Sequence, residues 1–194
     1  MLETLTTLYL HGNSISGPIP PELGKLEKLR AINLWNNELT GSIPAELGNL
    51  ENLWQLILWD NQLTGSIPPE LGKLTMMEQM DLSDNQLTGP IPPELGNMEY
   101  LEDVYFANNQ LTGPIPPEFG SLESLYVLHV HENNDMSGPL PLELTNLYMD
   151  EFYWYSTDLC APLDEEFQEW LNSISDNQGE ENCEEDDSPN PGTR

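Results

Sequence analysis

The chain has 194 residues, of which 34 are acidic and 5 are basic, and its formal charge at neutral pH is −29. Surfaces that bind nucleic acid or anionic membranes carry basic patches, so this composition argues against both kinds of partner. No apolar run approaches the roughly 20 residues of a membrane-spanning helix, and we expect no membrane insertion. A charge of this sign suits solubility and basic partners.

Asparagine recurs with a fixed period along most of the chain. The spacing is 24 residues between successive members of this series: Asn13, Asn37, Asn61, Asn85, Asn109 and Asn133. With the leucines around them they give the pattern L-x-x-L-x-x-L-x-L-x-x-N-x-L, the signature of a leucine-rich repeat, which predicts a solenoid. Each asparagine falls where the chain turns inward, and we expect its amide to satisfy backbone groups that the turn leaves unpaired.

The unit over residues 50–73 shows how one repeat works. Leu56 and Leu58 alternate with Gln55, Ile57 and Trp59, which is the period of a short strand. Leucines that point inward are buried only when neighbouring repeats stack on them. Stacking in register would pair the strands into one parallel sheet.

The second half of each unit carries a more specific pattern. It reads LTGSIPAELG from Leu39, LTGSIPPELG from Leu63, LTGPIPPELG from Leu87 and LTGPIPPEFG from Leu111. Gly65 permits a turn with positive φ. This segment resembles the plant-type leucine-rich repeats of receptor-like kinase ectodomains, receptor-like proteins and polygalacturonase-inhibiting proteins. The resemblance implies an α/β solenoid: a right-handed superhelix with a parallel concave sheet, a convex side of 3-10 or irregular structure, and a C-terminal capping helix.

The chain divides into three parts. Six repeats of 24 or 25 residues occupy residues 1–146, a degenerate seventh repeat and cap occupy 147–183, and an acidic tail over 184–194 should be disordered. The N-terminus already matches the repeat pattern, and we expect no signal peptide there. Solenoid ends normally need a polar cap, so we expect a fragment of a longer protein, or a contact with a partner at the uncapped first repeat.

The cap has a helical pattern. Phe167, Trp170, Leu171 and Ile174 are spaced i, i+3, i+4 and i+7, which gives one apolar helix face. Acidic residues from Asp164 onward precede it, where the helix dipole favours negative charge. The surrounding C-x-P-x-D-x-x-F-Q-x-W-L arrangement resembles the C-terminal caps of this repeat family.

Cys160 and Cys183 are the two cysteines, and they flank the helix. A disulfide between them would attach the cap to the last repeat and would indicate an oxidising compartment, outside the cell or at its surface. A reduced buried pair, or an exposed Cys183, are the alternatives, and free thiols would favour the cytoplasm.

Strand residues that point away from the core should line the concave face in two columns. A 24-residue step, and a 25-residue step into repeat seven, gives the first column as Tyr9, Asn33, Ile57, Asp81, Tyr105, His129 and Trp154. The second column is His11, Trp35, Trp59, Ser83, Ala107, His131 and Ser156. We predict that the ligand contacts Tyr9, Trp35, Ile57, Trp59, Asp81, Tyr105, His129, His131 and Trp154.

Trp35 and Trp59 are neighbours in the second column. Exposed aromatic residues dominate binding energies at interfaces, so they are candidate anchors for a protein or peptide. The alternative is that they pack on each other and only stiffen the sheet. Acidic residues such as Asp60, Asp84 and Glu132 rim this patch and would favour a basic ligand.

The sequence contains no catalytic motif, and the two cysteines lack histidines at metal spacing. His129 and His131 are two residues apart on one strand, but exposed histidines without a metal are the simpler interpretation. We therefore predict a non-enzymatic binding module with no cofactor and no metal. Two alternatives are a rigid segment of a larger kinase- or GTPase-type protein, and a surface protein that binds carbohydrate.

Overall fold

A computed structural model describes residues 4–179 and 182–184. Eight short strands, one from each turn of the chain, form a parallel sheet in sequential order, which we call the concave sheet. Its strands are Thr7–Tyr9, Ala31–Asn33, Gln55–Ile57, Gln79–Asp81, Asp103–Tyr105, Val127–His129, Glu151–Tyr153 and Asp176–Gln178. The parallel sheet predicted from the alternating leucines is confirmed.

A second parallel sheet of seven strands, absent from the sequence prediction, follows the asparagine turns. Its strands are Ser16–Pro18, Glu38–Gly41, Gln62–Gly65, Gln86–Pro90, Gln110–Gly113, Asp135–Pro139 and Asp158–Cys160. Gly65 has the predicted positive φ, at 81°. The sequence prediction treated this segment as a turn only, because each strand is three to five residues long and six of the seven contain a glycine with positive φ.

The convex side consists of 3-10 helices of five residues each, as predicted from the resemblance. They are Pro21–Lys25, Ala45–Asn49, Pro69–Lys73, Pro93–Asn97, Pro117–Ser121 and Leu142–Asn146. Four of them have proline at the first helical position, where a missing N–H is tolerated. Leu50, Leu53, Leu56 and Leu58 have no exposed surface, so the inward role assigned to these positions is confirmed.

The asparagine series connects adjacent repeats. The Asn61 amide donates to the carbonyls of Leu58 at 3.0 Å and Leu34 at 3.1 Å, and its Oδ1 accepts from the Leu39 N–H at 3.0 Å. Leu34 and Leu39 belong to the preceding repeat. Every later member of the series, from Asn37 to Asn133, therefore satisfies backbone groups of two repeats at once, which extends the predicted role.

The 3-10 helices stack so closely that one position requires glycine. A Cβ on Gly72 would lie 2.3 Å from the carbonyl oxygen of Glu94 in the next repeat. Equivalent contacts of 2.1 to 2.6 Å occur at the corresponding glycines of the other stacked helices. In the last 3-10 helix this position is Thr145, and its hydroxyl bonds only the Leu142 carbonyl, at 2.8 Å.

The register of repeat seven differs from the sequence prediction. His129 pairs with Tyr153, a step of 24 residues, so the predicted 25-residue step is wrong for this strand. Repeat six contains one extra residue after Asn133, but one residue is missing between Leu147 and Met149, which restores the register. Trp154 therefore points inward and is 3% exposed.

The cap is the single α-helix in the described part of the chain, Glu165–Ser173. The Asp164 carboxylate caps it by accepting from the Phe167 N–H at 3.0 Å. Its predicted apolar face is buried, and the Trp170 indole N–H donates to the Leu147 carbonyl at 2.8 Å. Cys160 and Cys183 form the disulfide.

The first repeat is less covered than those that follow it. Leu10 is 41% exposed and Ile15 is 36% exposed, whereas Leu58 and Leu63 at the equivalent inward positions are fully buried. A partner contact at this repeat stays a prediction. The predicted disordered tail lies outside the described residues apart from Glu184. No described helix has the length and apolar character needed to cross a membrane.

Candidate ligand-binding face

The concave sheet holds the two columns in register. In the first column Ile57 pairs with Asp81, Asp81 with Tyr105, and Tyr105 with His129. The second column lies two residues further along each strand. Backbone bonds between repeats continue on both sides of it, for example from Asp60 N–H to the Ser83 carbonyl at 3.2 Å.

Aromatic rings of the second column stack along the solenoid. His11 and Trp35 have ring centroids 5.0 Å apart and an interplanar angle of 8°, and Trp35 and Trp59 are 4.7 Å and 5° apart. We call these three rings the aromatic ladder. Both tryptophans are half-buried because each covers a face of the other. Stacking and ligand contact are therefore compatible, since the outer edges of the rings remain accessible.

Ring stacking in the second column stops after Trp59. Ser83 and Ala107 follow Trp59, and stacking resumes where His131 packs on Tyr155 with centroids 4.5 Å apart. The Asp84 N–H donates to the Ala107 carbonyl at 3.1 Å, and the Asn108 N–H donates to the His131 carbonyl at 3.0 Å. These backbone hydrogen bonds keep the repeats in register. We call Ser83 and Ala107 the ladder gap.

A second aromatic group surrounds His129 in the first column. Its ring stacks on Tyr153 with centroids 4.0 Å apart and meets Tyr105 edge-on at 5.0 Å. Its Nε2 lies 3.1 Å from Glu151 Oε2. Tyr153 also donates a hydrogen bond to Asp176 on the last strand. Several ring and carboxylate contacts thus fix the C-terminal half of the face.

The electrostatic character of the face is acidic. Burial raises the pKa of Asp81 to about 6 even though its carboxylate accepts the Ser83 N–H at 3.0 Å. Burial also raises the pKa of Asp103, with a further contribution from the Glu102 charge, and raises that of Tyr105 to about 12.

The histidines do not offset this charge. Burial lowers the pKa of His129 below its ordinary value, and its proximity to His131 adds to the effect despite the Glu151 carboxylate. Burial likewise lowers the pKa of His131. Both imidazoles are therefore neutral at pH 7, and the concave strands contain no lysine or arginine.

Most of the predicted contact residues lie together on this face, with two differences. Tyr9 is 50% exposed, and the half-buried residues are Trp35, Trp59, Asp81, Tyr105, His129 and His131. Ile57 is on the face but only 6% exposed. Trp154 is in the core, where its indole N–H donates to Asn177 Oδ1 at 3.1 Å, so its placement on the face was wrong.

Two face residues were missed. Tyr153 and Tyr155 occupy the columns where Trp154 and Ser156 had been placed. A 24-residue step from His129 and His131 finds both. The misleading signal was the extra residue after Asn133 in repeat six, which is compensated before the next strand begins.

A different exposed patch lies at the segments that lead from the 3-10 helices into the concave strands. Tyr100, Tyr126 and Tyr148 are 53%, 49% and 70% exposed, and Met76 is 48% exposed. The Tyr126 and Tyr148 rings meet edge-on at 5.8 Å. We call this set the lateral tyrosine patch. Sequence reasoning did not single it out, because these positions are not part of the strand pattern.

The side chains of the face are engaged in ring packing and hydrogen bonding. Within residues 4–179 and 182–184, no three histidine, cysteine, aspartate or glutamate side chains converge as metal ligands. His129 and His131 instead use their ring faces to pack on Tyr153 and Tyr155. Rings and carboxylates are thus held in fixed positions along the concave sheet.

Comparisons with known proteins agree with this architecture. Family models described as leucine-rich repeat match residues 3–63, 76–98 and 100–122. A comparison with curated protein sequences finds no match.

Solved structures similar to this chain include ectodomains of plant receptor kinases. A TDR receptor is 30% identical, with a TM-score of 0.85, over 92% of this chain and 31% of its own. The Arabidopsis receptor kinase HAESA, in complex with the peptide hormone IDA and the co-receptor SERK1, is 29% identical, with a TM-score of 0.83, over 91% of this chain and 30% of its own. The chain thus spans about a third of the length of these receptors.

A shorter structure is matched along most of its own length. A chain of the Arabidopsis thaliana BIR3–SERK2 complex is 33% identical, with a TM-score of 0.61, over 69% of this chain and 71% of its own. The family-model matches and this similarity agree with the repeat pattern and the solenoid fold. The chain belongs to the leucine-rich repeat family.

Proposed function

We propose that the chain is a non-enzymatic module that binds a protein or peptide segment of basic character on its concave face. The observation that carries this proposal is the half-exposed aromatic ladder on a face whose strands contain carboxylates but no lysine or arginine. Aromatic residues anchor ligands, and complementary charge steers and orients them. HAESA, a similar ectodomain, was crystallised with a peptide hormone, which supports a ligand of this class.

The ladder geometry favours a peptide over a carbohydrate. Sugar rings need an open aromatic face, but both faces of Trp35 are covered, by His11 at 5.0 Å and by Trp59 at 4.7 Å, so only its ring edge is accessible. The open face of Trp59 lies toward Ser83, beside the Asp81 and Asp84 carboxylates, and suits a flat cation better than a neutral sugar. Ring edges and rim carboxylates suit the polar backbone and the cationic side chains of a peptide better than a stacked sugar.

A rigid segment within a larger protein is the second candidate. Trp35 and Trp59 do stack on each other, which is what a stiffening role requires. The two functions differ in one respect, because a spacer loses only stability when the rings are removed, whereas a binding module also loses its ligand.

We place the module at the cell surface or outside the cell. The disulfide between Cys160 and Cys183 needs an oxidising compartment, and the similar plant structures are receptor ectodomains. A cytoplasmic location would instead be expected to leave these two cysteines reduced.

The test uses a random peptide library displayed on phage and selected against the folded chain. Selected peptides should be rich in basic residues, and the double substitution Trp35→Ala with Trp59→Ala should weaken their binding about 100-fold or more, because two interface anchors are lost. Affinity is measured by isothermal titration calorimetry.

The matched control is Tyr100→Ala with Tyr148→Ala, which removes two exposed rings from the lateral tyrosine patch. It should change affinity by about twofold at most. Circular dichroism establishes that all variants fold. Peptides that bind the tryptophan variant as tightly as the original chain would contradict the proposal, as would a selection that yields no binders.

A further inference from the structure

The aromatic ladder is interrupted in the middle of the concave face. Stacking runs through His11, Trp35 and Trp59, stops at Ser83 and Ala107, and resumes at His131 with Tyr155. Because Trp59 stacks on Trp35 with one face, its other face is turned toward Ser83, whose side chain is too small to cover it. His131 stacks on Tyr155, which leaves its other face turned toward Ala107. Two ring faces therefore look toward each other across the gap.

The size of the gap follows from the sheet. Trp59 and His131 are three strands apart, which is about 14 Å at the usual spacing of neighbouring strands. The rings already present are separated by 4.7 to 5.0 Å per repeat. Two rungs of the ladder are thus missing. Ser83 and Ala107 carry no ring that could fill these two positions, and the Ala107 methyl group is largely covered by its neighbours, at 7% exposed.

Carboxylates line the gap on both sides. Asp81 lies on one side, in the first column, and Asp84 lies on the other, directly after Ser83. In the part of the chain that the structure describes, the Asp81 carboxylate accepts hydrogen bonds from Ser83, whose N–H lies 3.0 Å from Oδ1, and has no cationic partner. The Asp84 carboxylate accepts a hydrogen bond from the Asn108 amide, which is neutral. Burial raises the pKa of Asp81 to about 6, and the Asp84 charge adds to the increase. An ionised carboxylate in this position is stabilised by a cation brought in by a ligand.

We propose that the ladder gap is a subsite for arginine side chains of the ligand, whose guanidinium planes replace the two missing rungs between Trp59 and His131 and pair with Asp81 and Asp84. Arginine is flat, stays charged, stacks on aromatic faces and bonds carboxylates with two parallel N–H groups. Lysine has the charge without the plane, and a neutral aromatic ring has the plane without the charge. The inference rests on the proposed function and assigns the chemistry of the ligand at one place on the same face.

The test uses three capped peptides of equal length as probes: penta-arginine, penta-lysine and penta-citrulline. Citrulline keeps the planar shape of arginine and lacks its charge. In 150 mM salt, penta-arginine should bind with a dissociation constant below about 1 mM and about tenfold or more tighter than either of the others. Calorimetry measures all three.

Two substitutions fill the gap from within the chain. Ala107→Trp and Ser83→Trp each place a ring at a position where repeats two and three already carry Trp35 and Trp59, so the backbone accommodates it. Each should weaken penta-arginine binding about tenfold or more, since the ring occupies a rung. The two variants are independent, and circular dichroism reports whether each one folds.

The Asp81→Asn variant separates a binding role from a structural one. It keeps an oxygen for the Ser83 N–H and removes the buried charge, so affinity for penta-arginine should fall about tenfold while Tm rises by about 2–4 °C. The matched control is Asp158→Asn, an exposed carboxylate on the second sheet, which should change affinity by about twofold at most.

Equal binding of penta-lysine, or full binding by both gap-filling variants, would overturn the subsite. So would the absence of penta-arginine binding at 1 mM.

The outcomes for the proposed function are distinguishable from those for the subsite. Library-selected peptides that need Trp35 and Trp59 but tolerate Ala107→Trp would leave the binding module intact and remove only the arginine subsite. Peptides that tolerate loss of both tryptophans would remove the proposed function itself.

Discussion

Replacing Gly72 with alanine is expected to destabilise the solenoid by about 3 kcal/mol or more, because the added methyl group meets backbone rather than a flexible side chain. Its Cβ would lie 2.3 Å from the Glu94 carbonyl oxygen and 2.6 Å from the carbonyl carbon. Relief requires the 3-10 helices of repeats three and four to separate, and that opens the leucine core between them. Urea denaturation followed by circular dichroism measures the loss, and Tm should fall by roughly 8 °C.

The last 3-10 helix provides the matched control. Thr145 occupies the same position there, and no further 3-10 helix stacks beyond it in the described structure. Thr145→Ala should therefore change stability by about 0.5 kcal/mol or less, as for other surface substitutions. If Gly72→Ala were as mild as Thr145→Ala, close stacking of the 3-10 helices would not be what selects glycine.

Replacing Asn133 with alanine is the second large effect, with an expected loss of about 3–5 kcal/mol. Asn133 has no exposed surface. Its amide donates to Val130 O at 2.9 Å and Phe106 O at 3.0 Å, and its Oδ1 accepts from the Leu111 N–H at 3.0 Å. Alanine leaves these buried backbone groups without partners, and an unpaired buried polar group costs more than the hydrogen bond contributes.

Asn13 is the matched control, because it begins the same series but is exposed. Its amide donates only within its own repeat, to Leu10 O at 3.0 Å and His11 O at 3.1 Å. Asn13→Ala should cost about 1 kcal/mol or less. Equal denaturation midpoints for the two variants would show that bonding between repeats contributes nothing to the role of the asparagine.

The repeat architecture of this protein was predictable from its sequence, because one physical requirement dominates at each repeat position. Buried leucines, the Asn61 turn and the Gly65 backbone all follow from spacing and residue type. The need for glycine at position 72 was not predictable in this way. It arises from the distance between neighbouring repeats, which appears only when the repeats are stacked.

The error at Trp154 has a local origin. An added residue after Asn133 and a missing residue before Met149 compensate each other, so a single offset could not align both halves of repeat seven. Burial fixes the register of this strand, because Trp154 takes the inward position that Val130 has in the preceding repeat. Tyr153 and Tyr155 take the outward places.

The residues of the concave face were predictable from the sequence, except in repeat seven, but the contacts between their side chains were not. The columns and their acidic residues follow from the period alone. Which ring faces are covered, by contrast, depends on contacts between repeats, such as the 4.7 Å stacking of Trp35 on Trp59 and its interruption at Ser83. The ladder gap and its uncovered ring faces are therefore properties of the assembled sheet.

The most direct measurement is hydroxyl-radical footprinting of the chain with and without a library-selected peptide. The method reads aromatic side chains, and the two exposed surfaces both carry them. Binding on the concave face predicts that Tyr9, Trp35 and Trp59 become protected while Tyr100 and Tyr148 keep their reactivity. Protection of Tyr100 and Tyr148 with unchanged Trp35 and Trp59 would place the ligand on the lateral tyrosine patch and contradict a concave binding face.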